Sequence, residues 1–146
     1  MLFRSFGYFI AHFGERRALI IEYSGLVLVF LAYGGIYLFD WGVMLAATLF
    51  VLDHLFFGLK MALKTYFQKI STPEDIAPTA AVAFTINHIA AVFLPVLLGL
   101  LWLVSPAIVF MVAALLAFLS FTLALLVPMF PLIWNETLLT SKAYSK

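Results

Sequence analysis

The sequence contains no cysteine and few charged residues. Of its 146 residues, 66% are hydrophobic and 10% are Asp, Glu, Lys or Arg, whereas about 25% of a soluble domain is charged. Without cysteine, disulfides, thiolate nucleophiles and cysteine-ligated zinc or iron–sulfur sites are excluded. The net charge of +1 provides no basic surface for nucleic acid. The apolar excess predicts an all-α membrane protein whose outer surface contacts lipid.

Long apolar runs predict four transmembrane helices, because a span needs about 20 mostly apolar residues. The first 13 residues are apolar but too short to span, so they predict a partial or interfacial helix. The predicted spans are 18–39, 41–64, 78–104 and 106–127, with a cytoplasmic loop over 65–77 and a cytoplasmic tail over 128–146.

Turn and breaker residues mark the predicted helix ends. Asp40 is expected to cap the start of the second span. The stretch 72–75, Thr-Pro-Glu-Asp, has the pattern of a helix start, although Pro78 is expected to open the third span itself. Pro95 lies inside that span and predicts a kink, because proline lacks the N–H that the helix needs.

The distribution of cations predicts the topology. The turns near Asp40 and Ser105 contain no Lys or Arg. By the positive-inside rule, the cation-bearing ends and both termini are cytoplasmic, and we expect the protein in the cytoplasmic membrane of a bacterium. The cations at those ends are Arg16, Arg17, Lys60, Lys64, Lys69, Lys142 and Lys146.

Four polar residues lie at one depth near the predicted midplane: Asp53 and His54 in the second span, and Asn87 and His88 in the third. Asp and His are the usual residues of intramembrane proton relays, so these four are candidates for a substrate or proton site. The alternative is interhelical hydrogen bonding. For Asp53 function is favoured, since a midplane carboxylate is costly; Asn87 more often serves packing.

Asp53 shares one helix face with Phe57, Lys60 and Lys64, by their spacing along the chain. Glu22 and Lys60 are both predicted about one turn from the cytoplasmic surface, at a depth that would let them form an ion pair.

No enzyme motif is present. Ser24 and Ser120 lack the glycines of a nucleophile elbow, and no phosphate loop or dinucleotide fingerprint occurs. A haem ligated by His54 and His88 remains an alternative, but one midplane histidine on each of two helices is a weak pattern. We therefore expect no enzyme activity, no metal and no cofactor.

The segment 7–19, GYFIAHFGERRAL, resembles the loop signature of the major facilitator superfamily. Ala11 and His12 stand where that family has Asp-Arg. The stretch 72–99, with Leu-Pro-Val-Leu-Leu-Gly at its end, is similar to a later loop and helix of the same family. The positions that match the loop signature are Gly7, Phe13, Gly14, Arg16 and Arg17.

This resemblance implies that the spans are similar to the last four of twelve helices, preceded by the end of the eighth. Such transporters bind substrate between two six-helix halves that rock against each other. It also implies that Gly14, Arg16 and Arg17 belong to a cytoplasmic loop that latches helix ends. We therefore expect the chain to be part of a secondary transporter for a small molecule or ion, and proton coupling is one form that this transport could take.

Alone, four spans and a stub are not expected to run an alternating-access cycle. The expected partners are the lipid bilayer, the substrate, and missing N-terminal helices of a longer chain or partner subunits. The rival interpretation is a small four-helix scaffold or assembly subunit without transport activity of its own.

Overall fold

The structure is a computed structural model that describes residues 8, 10, 12–129, 137 and 138. This part of the chain consists of helices joined by short turns and contains no strand. Within the predicted helix over 1–13, residues 8, 10, 12 and 13 are described, and they are helical. The other residues of that helix and most of the predicted tail over 128–146 lie outside the described residues.

From Glu15 on, the described chain contains five α-helices and one short 3₁₀ segment. Four helices of the described chain are long and apolar enough to cross a membrane, the second being a 28-residue unit over 43–70 that includes the 3₁₀ segment. The prediction of an all-α chain with four such helices is confirmed. The elements are α1 (Glu15–Phe39), α2 (Val43–Phe57), the 3₁₀ segment (Gly58–Lys60), α3 (Met61–Ile70), α4 (Pro73–Val104) and α5 (Pro106–Leu125).

The predicted loop over 65–77 is mostly helical. α3 continues to Ile70, and α4 begins at Pro73 rather than at Pro78, which lies inside it. The reason is local: Pro73 occupies the first helical position with its φ already fixed, and Thr72 is extended. The Thr72 hydroxyl donates a 2.6 Å hydrogen bond to Asp75 Oδ2. Only residues 71 and 72 separate the two helices.

Asp40 does not cap the start of the second span. It is the C-cap of α1, in the left-handed conformation with φ of 53° and ψ of 46°. Aspartate tolerates this conformation better than most residues, so it can end a helix where glycine is more usual. The residue before α2 is Gly42, with φ of 85° and no side chain to cap the helix.

The most extensive packing joins α1 to α5. The buried residues of α5 are all alanines, at 107, 114, 117 and 124, and a Cβ added at Gly34 of α1 would lie in van der Waals contact with this helix. Such small residues let two backbones approach closely, as in membrane helix pairs. A buried cluster at the charged end of the pair adds Ile10, Ala18, Leu19, Ala62 and Val127 to Ala124.

The long helix α4 stands apart from the others. None of its 32 residues is buried, and its main packing partner in the described chain is α5. At its end, Trp102 packs edge-on against Tyr37 of α1 and Phe110 of α5, with ring centroids 5.7 and 5.9 Å apart. α4 runs through Pro95 without ending there; the kink stays a prediction.

Candidate functional site

His54 and His88 are held in the same way on two different helices. The Nδ1 of His54 lies 3.0 Å from the Phe50 carbonyl oxygen, and that of His88 lies 3.2 Å from the Phe84 oxygen. Because a carbonyl oxygen only accepts, Nδ1 donates in both cases. In the tautomer that has its proton on Nδ1, Nε2 carries the lone pair and can accept a hydrogen bond or a proton from a substrate.

The surroundings of the two imidazoles also match. The Phe50 and His54 rings lie 4.2 Å apart, and the Phe84 and His88 rings 4.0 Å apart, both in tilted contact. The corresponding pentads, FVLDH over 50–54 and FTINH over 84–88, share Phe, Asp or Asn, and His in the same order. They lie at nearly equal distances along the chain from the turn at residues 71 and 72.

Asp53 makes only a loose contact with His54. The side chain of Asp53 is 33% exposed and that of His54 is 62% exposed, with Oδ2 and Nδ1 3.8 Å apart. That separation is too long for a hydrogen bond, as expected for consecutive residues that point about 100° apart on a helix. The carboxylate therefore remains available to another group.

The structure does not bring the four candidate residues into one cluster. Asp53 and His54 lie on α2, Asn87 and His88 on α4, and these two helices are not among the pairs that pack extensively in the described chain. Asn87 lines an open cleft between α4 and the segment from the end of α2 through α3. Within the described ranges, no three His, Asp or Glu side chains lie close enough together to hold a metal ion.

The charged turn at the start of α1 contacts two other helices. Gly14 precedes α1 with φ of 84°, a conformation that favours glycine. Arg16 Nη2 donates to the carbonyl oxygen of Leu125 at 3.3 Å, where the end of α5 lacks an intrahelical donor. Arg17 is exposed. The latching role expected of this loop stays a prediction.

The ion pair expected between Glu22 and Lys60 is not formed. Glu22 is 3% exposed, and its Oε2 is buried without a hydrogen-bond partner. Lys60 attracts it electrostatically but is exposed, with its ammonium 5.3 Å from the Phe57 ring centroid. The Lys60 side chain instead lines the open cleft beside α4, so the two charges at similar depth do not meet.

A different ion pair is present at this end of the protein. Lys69 Nζ lies 2.6 Å from Glu15 Oε1, and the Glu15 side chain is only 2% exposed. The sequence analysis missed both residues as partners. The available signal was Glu15 within the charged turn, but the sequence gives no reason to pair it with Lys69 across two helices.

The chain matches no protein-family model, no curated protein and no solved structure. The resemblance to the major facilitator superfamily therefore stays a prediction from the motif residues. The observations that bear on function are the helices and their polar groups.

Proposed function

We propose that this chain forms the last four helices of a secondary transporter of the major facilitator type, acting with further helices of a longer chain or of partner subunits. The observation that carries the proposal is the open side of the assembly. α4 is long and apolar enough to span a membrane, yet it buries no residue. A membrane helix that bears Asn87 and His88 needs polar or wet surroundings for them.

In this proposal, Asp53 is the proton or substrate site, with His54, Asn87 and His88 as its neighbours in the complete bundle. Support comes from the acceptor Nε2 atoms of both histidines and from the loose contact of the Asp53 carboxylate. Groups that are held in place but not saturated by hydrogen bonds can exchange a proton or bind a small polar solute.

The charged turn is the second functional element. Its contacts from Arg16 to the end of α5 and from Glu15 to Lys69 join three helices at one end. In an alternating-access transporter, ion pairs and capping contacts at one membrane surface stabilise one of the two rocking states. We place this end, with both termini, on the cytoplasmic side of a bacterial cytoplasmic membrane, since the cations lie there.

The test uses the longest gene product that contains this chain, reconstituted in proteoliposomes with an entrapped pH-sensitive dye. A panel of small solutes is applied outside, and solute-driven proton movement is recorded. We expect Asp53→Asn to lower the rate at least about tenfold, while Asp40→Asn, in the α1–α2 turn, leaves it unchanged. Full activity in Asp53→Asn would contradict the assigned site.

The rival function is a scaffold subunit, and the same open face of α4 favours it, because an unburied apolar helix can dock another membrane protein. The two functions differ in the need for a solvated polar site. If the chain is a scaffold subunit, no complex that contains it should show solute-driven flux, and Asp53→Asn should not affect the formation of the complex. The isolated chain is expected to be inactive in either case.

A further inference from the structure

An open cleft of about 780 Å³ separates α4 from the segment that runs through the end of α2, the 3₁₀ segment and α3. Its α4 wall is a single helix face, since the lining residues recur at intervals of three and four. Three of them have small side chains, which leaves room between the helices. The α4 wall consists of Ile76, Thr79, Ala80, Ala83, Phe84 and Asn87.

The opposite wall combines aromatic rings with two cations. Phe57 and Phe67 line it together with Lys60 and Lys64, which are one helical turn apart and share a face. No carboxylate lines the cleft. Among nearby acids, Glu22 interacts electrostatically with Lys60 but forms no ion pair with it. Asp75 accepts a hydrogen bond from Thr72 outside the cleft, and Glu15 is paired with Lys69. The cleft is therefore apolar along its length and positive at one place.

We propose that this cleft binds one anionic phospholipid, with its phosphate between the ammonium groups of Lys60 and Lys64. The acyl chain lies along Ala83 and Phe84 of α4 and Phe57 of the facing wall. Basic pockets between membrane helices at the cytoplasmic side are suited to anionic headgroups, and the volume lies within the range of ligand sites. The lipid site shares Asn87 with the proposed transport site but does not require transport.

The positive charge of the cleft favours an anionic lipid over a lipid without net charge. A zwitterionic lipid also carries a phosphate, but its ammonium group would meet the two lysines and be repelled. A helix of the complete assembly or of a second copy would need an acid to neutralise Lys60 and Lys64. Anionic lipid supplies both the charge and the apolar tail.

The first experiment removes one charge from the cleft. The chain is purified in mild detergent, supplied with phosphatidylglycerol or phosphatidylcholine, and analysed by native mass spectrometry for retained lipid. We expect phosphatidylglycerol to be retained preferentially and Lys64→Gln to weaken its retention about fivefold. The control is Arg17→Gln, which removes a charge of the same sign outside the cleft and should leave retention within twofold.

The second experiment fills the cleft without changing charge. Ala83 lines it and Ala81, on the other side of the same helix, does not. Ala83→Trp should abolish most phosphatidylglycerol retention, while Ala81→Trp should preserve it; size-exclusion chromatography checks that both variants are monodisperse.

Three results would overturn the proposal. Equal retention of the two lipids removes the charge argument. Loss in Lys64→Gln with full retention in Ala83→Trp places the lipid on the outer surface rather than in the cleft. If neither lipid is retained, the cleft does not bind lipid, and a protein helix becomes the expected occupant. None of these readouts depends on transport, so the lipid site can fail while the transporter proposal stands.

Discussion

Lys69 reaches from the last turn of α3 to Glu15 at the start of α1, with Nζ 2.6 Å from Oε1. The two partners differ in environment: the Glu15 side chain is 2% exposed, whereas that of Lys69 is 50% exposed. This asymmetry determines what happens when either partner is removed, because the remaining charge is stranded in one case and hydrated in the other.

Removing the lysine should therefore destabilise the protein more than removing the glutamate. We expect Lys69→Met to cost about 3 kcal/mol, since it leaves a buried carboxylate unpaired, and Glu15→Gln to cost about 1 kcal/mol. Thermal unfolding in detergent measures both. The double variant Glu15→Gln/Lys69→Met should be more stable than Lys69→Met alone. Equal losses in the two single variants would mean that the pair is solvated.

Arg16 should contribute to stability through the end of α5. Its Nη2 donates to the Leu125 carbonyl oxygen at 3.3 Å, and a charged donor at a helix C-terminus also interacts favourably with the helix dipole. We expect Arg16→Ala to lower the unfolding free energy by about 1 kcal/mol. The matched control is the exposed Arg17→Ala, expected within about 0.5 kcal/mol of the parent. A reversed order would contradict the observed contact.

Glycine at position 25 is required by the approach of α2. A Cβ there would overlap the Phe56 ring, whereas a Cβ at Gly99 would meet no atom within 4 Å. Gly25→Leu should therefore be about 2 kcal/mol less stable than Gly99→Leu through overpacking, and Gly99→Leu should be no less stable than the parent, because leucine has the higher helix propensity. Both are helix-interior glycines, so helix propensity affects them alike. Similar melting temperatures for the two variants would rule out the α1–α2 contact.

Glu22 is the buried acid without a complete set of hydrogen bonds. Since Oε2 has no hydrogen-bond partner and Lys60 does not pair with it, the ionised form carries a larger desolvation cost than a neutral amide would. We expect Glu22→Gln to raise the melting temperature by a few degrees, about 1 kcal/mol. The exposed Glu74→Gln should leave it unchanged. A lower melting temperature in Glu22→Gln would show that the carboxylate has a stabilising partner in the complete assembly.

Apolar runs were sufficient to predict the four long helices, because only a helix of about 20 residues satisfies its backbone without water. Helix ends were harder. Polar residues between Thr65 and Ala77 looked like a loop but belong mostly to α3 and α4, where Pro73 rather than Pro78 starts the helix. Asp40 suits an N-cap and a left-handed C-cap alike, and the sequence does not distinguish them.

Ion pairs were the least predictable feature of the site. Glu22 and Lys60 have matching depths, yet helix rotation and the 3₁₀ segment separate them. Glu15 and Lys69 meet because the start of α1 and the end of α3 lie at the same level. Rotation about a helix axis depends on packing between helices far apart in sequence, which periodicity alone does not fix. The proposed cluster of Asp53 with His88 also depends on helix rotation, and it stays a prediction.

The central claim is that the polar residues of α2 and α4 face water in the complete assembly. The chain has no cysteine, so Asp53→Cys and His88→Cys are clean single probes for a small water-soluble thiol reagent in native membranes. Ile86→Cys is the matched control, since Ile86 is 60% exposed but points away from His88 on α4. Ala114→Cys, 5% exposed, controls for burial. The account predicts rapid labelling at 53 and 88 and none at 86 or 114. If all four positions stay unlabelled, the polar residues are packing contacts, and the account is contradicted in favour of a scaffold.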